Sequence, residues 1–212
     1  QILDAELLRP NGIDGLSIGL CSAEHNERVA VLIEPSEADL EKEATRCPES
    51  LRRYKLGANS FNDRLNEVFP WLLPTAEHYN KLENRLLPMP SNMGIGSASS
   101  LARFLSLVAA GRILNQETLT RLAAGPMLEQ QHDVINGYAE SKGYGFQYTR
   151  PPDASPSSWL FGHSGLGGQN VRIDVGNRIA IAYICNGMKV ADADLVAPFR
   201  RLVEKLYQLL PC

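Results

Sequence analysis

The feature that most restricts the fold is the stretch QNVRIDVGNRIAIAYIC, residues 169–185. Its first half alternates: Val171, Ile173 and Val175 fall on one side, and Asn170, Arg172 and Asp174 on the other. A period of two marks a half-buried strand. Gly176 and Asn177 then read as a two-residue hairpin turn. RIAIAYIC returns with apolar residues on both faces, which predicts a central, covered strand. Ala180 and Ala182 leave one of those faces nearly flat, which suits a helix lying across it. Residues 194–210 supply that helix, with Leu195, Phe199, Leu202, Val203, Leu206 and Leu210 on one stripe. Pro198 is tolerable only in its first turn.

Upstream of this hairpin, GYGFQYT puts Tyr144, Phe146 and Tyr148 on one face of a further strand. Before that the period is helical. Leu101, Phe104, Leu105 and Val108 follow the i, i+3, i+4, i+7 spacing of a buried stripe. Ser99 or Ser100 can cap its start, and Gly111 can end it. A short helix follows over about 117–124. SAEHNERVAVLIE reads as a helix capped by Ser22, with Val29, Leu32 and Ile33 on one stripe. Residues 36–87 are charged and broken by Pro48, Pro70 and Pro74, which predicts short helices and loops. The order is therefore a mainly helical region over 1–142, then three or four antiparallel strands and a C-terminal helix packed on them over 143–212. That is an α+β fold.

Charge narrows the function. Lys and Arg total 21 against 24 Asp and Glu, a net charge of -3, which argues against a nucleic-acid binder. No apolar run approaches the ~18 residues of a membrane span. Cys21, Cys47, Cys185 and Cys212 are scattered and form no CxxC pair, so they fit no metal framework. Such usage in a chain of 212 residues reads as reduced thiols and points to a soluble, reducing compartment such as the cytoplasm. No cofactor or metal is called for. The opening QILDAELLRP lacks a basic leader and reads as the middle of a helix, so the chain is expected to be cut from something longer.

Three groups of residues are candidates for chemistry. GLSIG, at 15–19, matches the G-x-S-x-G nucleophile elbow, but RPNGID before it is turn chemistry rather than a strand, so Ser17 reads as part of a loop. His25, His78 and His132 sit in polar surroundings without a second ligand at useful spacing, and read as surface residues. His132-Asp133 is a weaker candidate pair. FGHSGLGGQ, at 161–169, is different: four glycines surround a histidine and a serine at the start of the strand region. A strand there places His163 and Gly165 on one face and Ser164 on the other. Gly165, Gly167 and Gly168 then remove side chains that would keep a ligand away. A bare strand edge can offer backbone N–H groups to a carbonyl or an oxyanion.

GHSGLGGQNVRIDVGNRIAIAYICNGM resembles the third conserved motif, and the strands after it, of the serine β-lactamase-related family, which includes penicillin-binding-protein-like esterases and class C β-lactamases. The lysine-threonine-glycine of its antibiotic-hydrolysing members reads His163-Ser164-Gly165 here. NMGIGSASSLARFLSLVAAGRIL resembles the helix that precedes this motif. AELLRPNGIDGLSIGL resembles the family's proline-leucine-glycine loop, with Asn11 in place of the leucine. The segment from about 34 to 87 carries the resemblance least.

The family's chemistry needs a Ser-x-x-Lys nucleophile motif and a tyrosine motif, Y-x-N or Y-x-S. No serine here has lysine three residues later, and Tyr79-Asn80-Lys81 has the wrong spacing. The resemblance thus implies the C-terminal portion of an acyl hydrolase acting on a small ester or amide, inactive alone. It further implies that the Leu166 N–H shares an oxyanion hole with the missing serine. His163 stands where the family has its lysine, and Ser164 adds a hydroxyl. A non-catalytic binding or assembly module on the same fold is the alternative. As a cut domain, the chain is expected to show an open strand edge and an uncovered sheet face. It should then self-associate or bind its missing half through residues 171–185.

Overall fold

In the computed structural model, which describes residues 2–48, 51, 67, 75–133, 138–152 and 158–210, the 169–185 hairpin is the far end of a six-stranded antiparallel sheet. Two short strands, β1 (Leu16–Ile18) and β2 (Gly94–Gly96), pair with each other as a separate ribbon. The main sheet is a meander in chain order: β3 (Leu128–His132), β4 (Ala139–Gly143), β5 (Phe146–Thr149), β6 (Leu160–Gly165), β7 (Gln169–Asp174) and β8 (Ile179–Tyr183). The helices are α1 (Glu37–Arg46), α2 (Ala76–Asn80), α3 (Leu82–Arg85), α4 (Ala98–Ala109), α5 (Gln116–Ala123) and α6 (Ala197–Gln208). Pro70, Pro74 and Cys212 lie outside the described residues.

The α+β class holds, with more strands than the three or four expected. β3 and all but the last residue of β4 precede residue 143 yet belong to the same sheet. Their sequences carry no apolar alternation: LEQQH is exposed throughout, and AESKG buries Glu140 and Ser141 instead of hydrophobic residues.

The turns also differ from expectation. The tight two-residue turn is Tyr144-Gly145, between the paired Gly143 and Phe146. Both residues take positive φ, 53° and 84°, as a primed hairpin turn requires. Tyr144 therefore leaves the strand, while Phe146 and Tyr148 share one apolar face. The Gly176-Asn177 site is instead a four-residue loop between Asp174 and Ile179, and Arg178 is its left-handed residue (φ 55°). The Asp174 carboxylate holds it, accepting from the Asn177 N–H at 3.0 Å and from its Nδ2 at 2.8 Å.

β8 is an edge strand, paired with β7 alone, not a central one. It is apolar on both faces because two helices sandwich it. Ala180 packs into the cluster built on Leu105 and Val108 of α4. Ile179, Ile181 and Tyr183 meet Phe199, Val203 and Leu206 of α6. The terminal helix thus takes the bulky face and α4 the flat one, where small alanines let its long side chains approach. The uncovered face that the sequence led us to expect is filled by α4, and among the described residues the outer backbone edge of β8, like that of β3 at the other end of the sheet, pairs with no further strand.

α4 begins at Ser97, whose hydroxyl accepts from the Ser100 N–H at 3.0 Å, two residues before the nearer expected cap. Gly111 follows the helix end at φ 69°. The helix expected from Ser22 to Glu34 is reduced to a single 3-10 segment, Ala23–Arg28. Beyond it the chain is extended. The Asn80 side chain clips both the N–H and the C=O of Leu32, at 2.8 and 2.9 Å. Ile33 bridges to Gly187. β-branched Val29, Val31 and Ile33 cost little in that conformation. Among the described residues no helix is long and apolar enough to cross a membrane.

Two tyrosines give the fold an alkaline limit. Burial pushes the Tyr148 hydroxyl from 10.0 up to about 12, and this hydroxyl has no hydrogen-bond partner. Tyr207 is also raised, by burial first and then by its hydroxyl donating to Asp174. Both pKa values are raised in the folded state, so the unfolded chain ionises first. The stability they contribute is complete below pH 10 and is lost as pH rises toward about 12. Tyrosinate absorbance followed with circular dichroism should show these two ionising only as the sheet melts. Ionisation of all seven tyrosines near pH 10 with the fold intact would contradict this.

Candidate active site

β6 carries the site and is shaped by its neighbours. Leu160 and Phe161 are fully buried and anchor the strand in the core. At Gly162 the sheet comes so close that an added Cβ would stand 2.0 Å from the Val171 carbonyl oxygen. Beyond Gly162 the strand outruns its partner: β5 pairs with β6 only from Leu160 to Gly162. His163 is exposed and Ser164 is buried, the alternation that a strand imposes.

The gap left by β5 is filled by a side chain. Gln147 Oε1 accepts from both the Ser164 N–H and the Ser164 hydroxyl, each at 2.7 Å. Gln147 Nε2 donates in turn to Glu140 at 3.2 Å. The Lys142 ammonium lies 2.8 Å from Glu140 and also bonds Asp133. Burial alone would lower the Lys142 pKa, but the bonds from these two carboxylates outweigh it and hold the ammonium above its ordinary value. Lys142 stays charged at neutral pH.

His163, Ser164, Gly165 and Leu166 all line one cavity of about 730 Å³. Its other walls come from Met127 and Leu128, from the 143–146 hairpin, and from Tyr138, Lys142, Gln147 and Asp192. The motif singled out in the sequence therefore converges on one space.

The glycines of this motif mostly serve packing. Gly167 and Gly168 take φ of 73° and 89°, and a Cβ on either would stand 2.8 Å from the side chain of Met188 or Lys189. They seat the 188–189 segment, whose Lys189 N–H donates to the Gly167 carbonyl at 2.8 Å. The expectation that they clear space for a ligand is corrected for these two. The β6 edge is not bare at Ser164, because Gln147 occupies its N–H.

The other candidates stay apart from the cavity. Ser17 lies in β1, opposite Ile95, with no helix directly after it. His25 meets the Ser22 hydroxyl at 3.1 Å. His78 stacks edge-on with Tyr79, and His132 is exposed at the end of β3. Asp133 turns to Lys142. Gln147, Glu140 and Lys142 escaped the sequence reading. Their signal was the polar alternation E-x-K across the Tyr144-Gly145 turn, legible only once that turn is placed.

Chemically, the site offers an exposed imidazole, a fixed hydroxyl and a short 3-10 turn, Leu166–Gly168, at the end of β6. Ser164 donates its proton to Gln147, so it is not hydrogen-bonded to a base that could activate it.

The family model described as Beta-lactamase matches residues 1–205. Among solved structures, a family VIII carboxylesterase is similar at a TM-score of 0.73 and 22% identity, over 99% of this chain and 51% of that one. A penicillin-binding protein (PBP) homolog from Caulobacter crescentus is similar at a TM-score of 0.68 and 26% identity, over 99% and 52%. The chain spans about half the length of each. No curated protein matches.

Proposed function

The chain belongs to the Beta-lactamase family, and from that premise we propose that residues 160–168 form one wall of a serine acyl-transfer site whose nucleophile lies outside this chain. One observation carries the reading: His163, Ser164, Gly165 and Leu166 meet in a single cavity, in a chain without a Ser-x-x-Lys. The span of about half of each similar structure supports a partial domain.

In the complete site the outside serine attacks an ester or amide carbonyl and forms an acyl-enzyme. The Leu166 N–H and the N–H of that serine stabilise the oxyanion. His163, exposed at the cavity, hydrogen-bonds near the leaving group. Gln147 fixes the Ser164 hydroxyl and backbone, so the wall is rigid before substrate arrives. The open edge of β8 is the place where the other half of the domain, or a second copy, adds a strand.

The alternative is a non-catalytic binding module, and one observation favours it. Gln147 takes the Ser164 N–H that a substrate backbone could otherwise use. A substitution separates the two readings. His163→Ala in a polypeptide that includes the nucleophile should slow acylation on the order of 10²-fold with the melting transition unchanged. Unchanged acylation kinetics would remove His163 from the chemistry.

A further inference from the structure

We infer that Ser164 is a specificity-determining residue whose hydroxyl can only accept from a ligand, so that the ligand group meeting it in the cavity carries an N–H or an O–H. This rests on the acyl-transfer reading and assigns Ser164 a role within that site.

The direction of one proton follows from atoms that have no choice. A backbone N–H donates and never accepts. The Gln147 atom that stands 2.7 Å from the Ser164 N–H is therefore the side-chain oxygen. The same oxygen stands 2.7 Å from the Ser164 Oγ. A side-chain amide oxygen only accepts, so the hydroxyl proton points at Gln147. The Ser164 Oγ keeps only its lone pairs for a ligand. Among the described residues no donor reaches that oxygen.

The other end of Gln147 locks this arrangement. Its Nε2 donates to Glu140 at 3.2 Å. The Glu140 carboxylate is 9% exposed and is bonded by the Lys142 ammonium at 2.8 Å. Turning the Gln147 side chain over would set donor against donor at the Ser164 N–H and oxygen against carboxylate at Glu140, both in a buried place. The register explains why these groups meet. Gln147 stands opposite Gly162, the last pair of β5 with β6, and Ser164 lies two residues further on the same face.

Ser164 lines the cavity beside Leu166. The Leu166 N–H of the proposed oxyanion hole asks for an acceptor, and the Ser164 oxygen asks for a donor. A ligand N–H or O–H completes the bonding of that oxygen. A carbonyl or ester oxygen placed there meets lone pairs with no proton between.

N-Methylphenylacetamide and methyl phenylacetate differ by an N–H in place of an ester oxygen, and they test this on the full chain. Each is titrated while the backbone resonances of Ser164, Gly165 and Leu166 are followed. The N–H compound should bind roughly 10-fold more tightly than the ester. Ser164→Ala should remove most of that ratio, because the acceptor is gone. Gln147→Leu frees the Ser164 proton to turn toward the ester and should narrow the ratio with the hydroxyl still present. Equal or tighter binding of the ester, a ratio that survives either substitution, or no shift with the N–H compound overturns the inference and leaves the acyl-transfer reading standing. That reading fails separately, if a serine-bearing polypeptide is never acylated.

Discussion

Gly162→Ala abolishes cooperative folding or costs about 4 kcal/mol or more, a large share of the ~5–15 kcal/mol that holds a domain folded. The methyl group would stand 2.0 Å from the Val171 oxygen, 2.8 Å from its carbonyl carbon and 3.0 Å from the Arg172 Cα. All three are backbone atoms of the paired strand and cannot rotate away. Relief requires parting β6 from β7, which pair at five positions from Phe161 to Gly165. Phe161 and Ile173, opposite each other in that register, are 0% and 1% exposed. Parting the strands opens the core at its most buried point. Overpacking usually costs 1–3 kcal/mol where side chains can adjust, and here they cannot. Urea denaturation reads the effect; a loss under ~1 kcal/mol would mean that the two strands have more room than this.

Arg85→Ala is the second large loss, about 3–5 kcal/mol. Arg85 is 5% exposed, and among the described residues no carboxylate pairs with it. Its guanidinium instead donates to the carbonyls of Tyr79 (2.9 Å) and Ala30 (3.1 Å), and to the side-chain oxygens of Asn26 and Asn80 (both 2.8 Å). Burial lowers its pKa, in the absence of any acid to offset it. Four acceptors from two segments, 26–30 and 79–80, lose their donor together when it is removed. Asn80 is also the clip on Leu32, so the extended 29–34 stretch should loosen. Lysine has three donors in place of the fork and should recover only part of the loss. If Arg85→Lys matches the wild type in thermal melting, the fan of bonds is not what orders this region.

The legible parts of the fold are those where one face of an element meets apolar neighbours. β7, α4 and α6 could be read because Val171 and Ile173, Leu105 and Val108, and Phe199 and Val203 repeat at the period of their element and pack into the core. β4 could not, because Glu140 and Lys142 face a polar network rather than a core. The Ser22 helix failed for a different reason. Its partner is the side chain of Asn80, 48 residues away from Leu32, and no local pattern carries that information. β8 shows how a correct observation can yield a wrong position. Apolar residues on both faces were read as a central strand, but two helices can cover an edge strand equally well.

The site was legible in part. FGHSGLGG stood out by composition, and its four motif residues share one cavity. Gly165, Gly167 and Gly168 were credited with opening space for a ligand, whereas Gly167 and Gly168 answer to Met188 and Lys189. Gln147 and Lys142 depend on the pairing of Lys142 with Gln147 across a hairpin, and that register follows from a turn at Tyr144-Gly145, inside a stretch that reads as one continuous strand.

The central claim is that this chain is a wall without its nucleophile, and serine labelling tests it most directly. A nitrophenyl ester and a chromogenic cephalosporin are offered to the 212-residue chain and to a longer polypeptide that places a Ser-x-x-Lys segment before it. Peptide mass spectrometry then locates any acyl group. The account predicts no burst and no adduct on the chain alone, and a single acyl group on the added serine of the longer polypeptide. A stoichiometric acyl group on any serine of the chain itself, Ser17 and Ser164 included, would contradict it.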